Sequence, residues 1–192
     1  MITEKNKLLE NNLNKWDEWY KLLPTEPSEF YYADTETYKK SADFLSDCKE
    51  IEDWGVGGGG FLRFRPDAIG VDGSSTPYAK KTNVDLKTYK SDCECINLRH
   101  VLEHNYSWED ILINVLSSSR RKITIVTFTP FSENETKEIA HNKEHGVDVP
   151  DLSLDKKKFF EIINSFSPKS VTVEILKTKS GYGQEEIFYI EL

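Results

Sequence analysis

Five glycines fall within six positions, Gly55 to Gly60, directly after a short run that ends in Asp53-Trp54. A strand that runs straight into Gly-x-Gly-x-Gly must turn tightly at the carboxyl edge of a sheet. Side chains there would block the turn or the close approach of a ligand to the backbone. Gly55, Gly57 and Gly60 also satisfy the pattern G-x-G-x-x-G. A flexible linker would account for the glycines alone, but not for the strand before them or the acidic strand end after them. Open α/β sheets bind ligands in crevices at that edge.

The remainder of the chain fits such a sheet. From Lys49 onward, strand-like and helix-like segments alternate. Strands are expected at 50–54, at 68–71 (ending on Asp72), less distinctly at 84–86, at 93–98 and at 123–128. Residues 171–176 and 186–191, joined by a turn at 180–183, predict a closing antiparallel hairpin. A helix opens at Ser107, with Asp110 at its third position and Trp108, Ile111, Leu112, Val115 and Leu116 on one face. Ser132-Glu133-Asn134-Glu135 matches a capping box and predicts a polar helix. Residues 155–166 predict another, burying Phe159, Ile162, Ile163 and Phe166. Before the sheet, Leu9, Leu13, Trp16, Tyr20 and Leu23 recur at helical spacing until Pro24 and Pro27. A second helix is expected at 34–47, with Tyr38, Ala42 and Leu45 on one side. The layout is a helical cap, 1–48, in front of an α/β domain, 49–192, together one globular unit.

Charge narrows the partners. Against 33 acidic residues stand 25 Lys and Arg, a net charge of −8, so no nucleic-acid partner is expected. Arg120, Arg121 and Lys122 read as a solvated helix end. No apolar run reaches the roughly 18 residues of a membrane span. The opening MITEKNKLLENN lacks an apolar signal core, so a cytosolic protein is expected. Cys48, Cys93 and Cys95 fit no disulfide framework and no zinc spacing.

Asp53-Trp54-Gly55-Val56-Gly57-Gly58-Gly59 resembles the D-x-G-x-G-x-G signature of class I S-adenosylmethionine (SAM)-dependent methyltransferases. Gly70-Val71-Asp72-Gly73-Ser74 is similar to the end of that family's second strand. Asn97-Leu98-Arg99-His100-Val101-Leu102-Glu103-His104 resembles its segment after the fourth strand. The likeness runs from Lys49 to the C-terminus and implies a mostly parallel, Rossmann-like sheet with SAM as cofactor. By the resemblance, Gly55, Val56, Gly57 and Gly59 approach the amino-acid part of SAM, with Asp53 orienting the loop. Asp72, followed by Gly73, binds the ribose. Asp85 with Leu86 reads the adenine, although Asp92 competes for that place and Asp85 is equally a turn residue. Arg99 and His100 face the cofactor. Only about eight residues separate Gly60 from the second strand, so the helix expected between them must be very short.

Methyl transfer to an alcohol needs the acceptor held in line and its proton removed. His100 and His104 are the candidate bases, with Glu103 alongside. His104 and Glu103 equally suit capping of the helix near Ser107. His100, Glu103 and His104 do not complete a known metal cluster, and no metal is expected. Thr129-Pro130-Phe131 and the N-terminal aromatics Trp16, Trp19, Tyr20, Tyr31, Tyr32 and Tyr38 could line or cover an acceptor pocket. The acidic charge, and a fourth strand without an N-P-P-Y tetrapeptide, favour a small-molecule or glycan acceptor carrying a hydroxyl. The competing readings are a nicotinamide-dinucleotide oxidoreductase and a non-catalytic module of the same fold.

Overall fold

The computed structural model describes residues 13–23 and 34–192. Leu9, Pro24, Pro27, Tyr31 and Tyr32 lie outside the described residues.

Eight strands are present among the described residues: β1 (Ile51–Trp54), β2 (Ile69–Val71), β3 (Cys93–Arg99), β4 (Ser119–Thr127), β5 (Lys137–Asn142), β6 (Val149–Ser153), β7 (Ser170–Lys177) and β8 (Gln184–Glu191). Six of them form one sheet in the order β2-β1-β3-β4-β8-β7. The pairs β1–β2, β1–β3 and β3–β4 are parallel, whereas β8 runs antiparallel to both β4 and β7. The expected parallel sheet with a closing hairpin is therefore the architecture observed. β2 and β3 lie on opposite sides of β1, so the crevice above the ends of β1 and β3 is a topological switch point.

Helix α3 (Trp108–Ser118) and helix α4 (Lys156–Ser165) cover one face. Trp108, Ile111, Leu112, Val115 and Phe159 pack with Ile96, Leu98, Ile123 and Phe188 in one buried cluster. Asp155 caps α4 by accepting from the Lys158 N–H at 3.0 Å. Ser107 stands at the N-cap of α3, but its side chain makes no capping bond. Helix α2 (Glu36–Phe44) covers the other face, where Tyr38, Ala42 and Leu45 join Ile51, Phe61 and Cys95.

Several expectations fail for identifiable reasons. Of the helix expected across Leu13 to Leu23, only the single turn α1 (Asp17–Tyr20) is helical. No strand forms at 84–86, where the Asp85 carbonyl accepts from Thr88 and Tyr89 N–H in a turn. The polar helix at Ser132 is absent. Lys137–Asn142 instead pairs antiparallel with β6, whose Val149 and Leu152 are buried. A segment as polar as 132–138 offers a helix no apolar face, so pairing to a buried strand prevails over a local capping motif. Arg120, Arg121 and Lys122 lie on β4, not at a helix end, and pair with Glu50, Glu94 and Asp47.

Cys48 and Cys95 form a disulfide, contrary to the sequence reading, while Cys93 is a buried free thiol. The partners are 47 positions apart. Only the packing of the segment after α2 against β3 brings them together.

Candidate active site

The loop after β1 is shaped by what surrounds it. Gly55 has φ +75°, a conformation that side chains rarely adopt, and a Cβ there would lie 2.3 Å from Val101 Cγ2. The turn is therefore closed against the segment that leaves β3. Gly59 has φ +73°, and its missing Cβ makes room for the Tyr78 ring. Between Gly60 and β2 only one 3₁₀ turn (Phe61–Arg63) remains of the expected helix.

Asp72 fastens this loop. One carboxylate oxygen accepts from the Gly57 N–H at 3.0 Å and the other from the Ser74 N–H at 2.8 Å. Asp53 is held from the neighbouring strand, its Oδ1 accepting from Asn97 Nδ2 at 2.7 Å. Thr124 in turn donates to Asn97 Oδ1 at 2.8 Å. Burial pushes the Asp53 carboxyl up to about 7 against the Asn97 hydrogen bond, with the Asp72 charge adding to the rise. Burial likewise pushes Asp72 up to about 6, opposed by the N–H groups of Gly57 and Ser74.

These groups border a cavity of about 380 Å³, within the ~300–1,000 Å³ usual for ligand pockets. Of the expected cofactor residues, Asp53, Gly55, Val56, Gly57, Asp72, Gly73, Leu86, Arg99 and His100 line it. Gly59 and Asp85 do not. Gly59 serves Tyr78 packing, and Asp85 Oδ1 accepts from the Lys87 N–H at 3.0 Å, the turn role. Trp16, Trp19, Tyr20 and Tyr38 also border the cavity, so part of the aromatic set does cover it.

The three expected catalytic residues separate. His104 lines the cavity. Its Nδ1 is 2.9 Å from the Pro150 carbonyl and 3.3 Å from Asp151 Oδ1. Both are acceptors, so Nδ1 carries the proton and Nε2 keeps its lone pair. Burial lowers the tendency of His104 to protonate, but Asp151, Glu103 and the Pro150 carbonyl outweigh it and raise its pKa. His100 also lines the cavity at φ +54°, and burial, then Arg99 and His104, hold its pKa well below the usual histidine value. Glu103 does not reach the cavity. It is fully buried and accepts from the Phe128 N–H at 2.7 Å, clamping the exit of β4. Arg99 borders the cavity but is engaged by Thr37, by Tyr38 and by Glu185.

Asp151 and Glu185 are functional candidates that sequence reasoning missed. Asp151 lies in β6, a strand the sequence did not announce. Glu185 sits on the closing hairpin as one of several acidic residues, and nothing local marks it as buried.

No protein-family model matches the chain, and no curated protein does. The match lies in three dimensions. The SAM-bound crystal structure of magnesium protoporphyrin IX methyltransferase from Synechocystis PCC 6803 superposes with a TM-score of 0.62 at 12% identity, over 100% of this chain and 98% of that one. The fold is that of the class I SAM-dependent methyltransferases. The methyltransferase fold recurs in 1,6-didemethyltoxoflavin-N1-methyltransferase from Burkholderia thailandensis, solved with 1,6-didemethyltoxoflavin and S-adenosylhomocysteine. That match has a TM-score of 0.60 at 12% identity and covers 82% of this chain and 77% of that one. A SAM-dependent methyltransferase from Methanosarcina mazei matches with a TM-score of 0.54 at 13% identity, over 78% and 94% of the two chains.

Proposed function

We propose that the chain is a SAM-dependent methyltransferase acting on a hydroxyl of a small-molecule or glycan acceptor. One observation carries the reading: a histidine held as a base and the Asp72-fastened glycine turn border the same cavity. The cavity suits SAM. Gly55 and Gly57 expose backbone on one side, and each Asp72 oxygen keeps a lone pair for a ribose hydroxyl beside its bond to the loop. Leu86 supplies an apolar wall for a base. Bound SAM supplies a sulfonium methyl that needs no covalent catalysis.

The chain's own residues then have two tasks. Trp16, Trp19 and Phe128 exclude water and hold the acceptor against the loop. His104 takes the hydroxyl proton at Nε2, and Asp151 stabilises the imidazolium that results. Tyr182 donates to the other Asp151 oxygen at 3.1 Å and keeps the carboxylate oriented. The solved neighbours named for methylation of a porphyrin and of a toxoflavin precursor support a small-molecule acceptor.

A crystal structure with S-adenosylhomocysteine tests the reading. The ribose is expected at Asp72 and the sulfur on the His104 side. A ligand bound elsewhere, or an empty glycine turn at saturating ligand, would overturn it.

A further inference from the structure

Glu185 enters the site from the closing hairpin and is completely buried. Its Oε1 accepts from Arg99 Nη2 at 2.5 Å and lies 2.5 Å from His100 Nε2. The second contact is short but off the ring's N–H direction, so Nε2 is not an aligned donor in this geometry. Chemistry still decides where the proton sits. The Arg99 guanidinium on Oε1 favours the carboxylate form of Glu185, so the carboxyl group brings no proton of its own to this contact. A bare Nε2 at this distance would set lone pair against lone pair in a site closed to water. The proton therefore belongs on Nε2, facing Oε1.

The surroundings hold Glu185 in place. Thr37 accepts from Arg99 Nε at 3.1 Å, and the guanidinium stacks 4.0 Å from the centre of the Tyr38 ring. His100 packs on Phe128, with ring centres 4.7 Å apart, and borders the cavity. Its Nδ1 has no partner among the described residues. Among the described residues, Arg99, Glu185 and His104 act on the His100 ring, and Asp34 acts on Glu185 from the start of the α2 segment.

We propose that Glu185 is a positioning residue that fixes His100 in the Nε2-protonated tautomer and turns the Nδ1 lone pair into the cavity. Resting on the methyltransferase reading, this gives the acceptor a second hydrogen-bond acceptor beside His104. The two histidines are then held in opposite senses, His104 through Nδ1 and His100 through Nε2. An acceptor that donates two hydrogen bonds matches this better than one that donates a single bond.

The test is ¹⁵N NMR of the histidine rings in the full chain without ligand, between about pH 5 and 8. Wild type is expected to show His100 as a single Nε2-protonated tautomer across that range. Glu185→Ala is expected to release it to a mixture, and Glu185→Gln, whose amide oxygen can still accept, to restore the Nε2–H form. An Nδ1-protonated or averaged His100 in wild type overturns the proposal, as does an unchanged tautomer in Glu185→Ala. Should Glu185→Ala not fold, the wild-type spectrum and Glu185→Gln decide. No cofactor enters this measurement, so failure to bind S-adenosylhomocysteine would count against the methyltransferase reading alone.

Discussion

The Gly57 N–H donates to Asp72 Oδ2 at 3.0 Å, so the carboxylate at the end of β2 holds the turn that leaves β1. The residue proposed to bind the ribose thus also sets the backbone beneath the rest of the cofactor. Asp72→Asn can offer only one oxygen, which leaves either Gly57 or Ser74 facing an NH₂ group. A hydrogen bond to a charged group contributes about 1.5–3 kcal/mol. The variant is therefore expected to bind S-adenosylhomocysteine about 10- to 100-fold more weakly by calorimetry. Unchanged affinity would show that Asp72 holds the loop but not the ligand.

Gly55→Ala carries two separable penalties. The methyl would meet Val101 Cγ2 at 2.3 Å, and the positive φ persists whatever the space. The backbone part alone costs about 1–2 kcal/mol. Val101→Ala in the same chain should recover the steric part and leave the backbone part. Thermal melts of the single and double variants check this, and full recovery in the double variant would show that the left-handed turn is not required.

Asp53 gives a pH signature. Its pKa is raised by burial from 3.8 to about 7, so the native state holds a proton that the unfolded chain releases. Its contribution to stability is full below 3.8 and is lost as pH rises through about 7. Asp72 acts in the same sense, through about 6. Asp53→Asn keeps an oxygen for Asn97 but removes the titration. Its melting temperature should exceed wild type by a margin that widens between about pH 5 and 8. Parallel curves would contradict the buried-acid assignment.

The parts of this site visible in the sequence are those that follow from local pattern. Asp72 follows a short strand, and Gly55 and Gly57 sit where a strand must turn, so strand pattern and turn chemistry point to them, whereas Asp53 stands out only through the family resemblance. Chain neighbours of a pocket residue need not face the pocket: the Glu103 carboxylate accepts from the Phe128 N–H instead. Asp151 and Glu185 were invisible for a different reason. Each reaches its histidine only through tertiary packing, β6 against the Leu102–His104 turn and β8 beside β4. The capping box at Ser132 pointed the wrong way because local hydrogen bonding is weaker than burial of the apolar residues in β6.

The Cys48–Cys95 disulfide is a further case, and it pulls against the cytosolic expectation, since cytosolic thiols are kept reduced. Closing a loop of 47 residues is worth about 4 kcal/mol in the chain-entropy model. Air-oxidised wild type should melt well above both the reduced protein and Cys95→Ala, and those two should agree. Alkylation after denaturation without reductant should label Cys93 alone. Labelling of all three cysteines would show that the bond does not form.

This glycine turn is expected to bind SAM rather than a dinucleotide. Calorimetric titration of the full chain with SAM and, separately, with NADH tests it most directly. Saturable binding of one SAM per chain and no binding of NADH are expected. Binding of NADH without binding of SAM would contradict this.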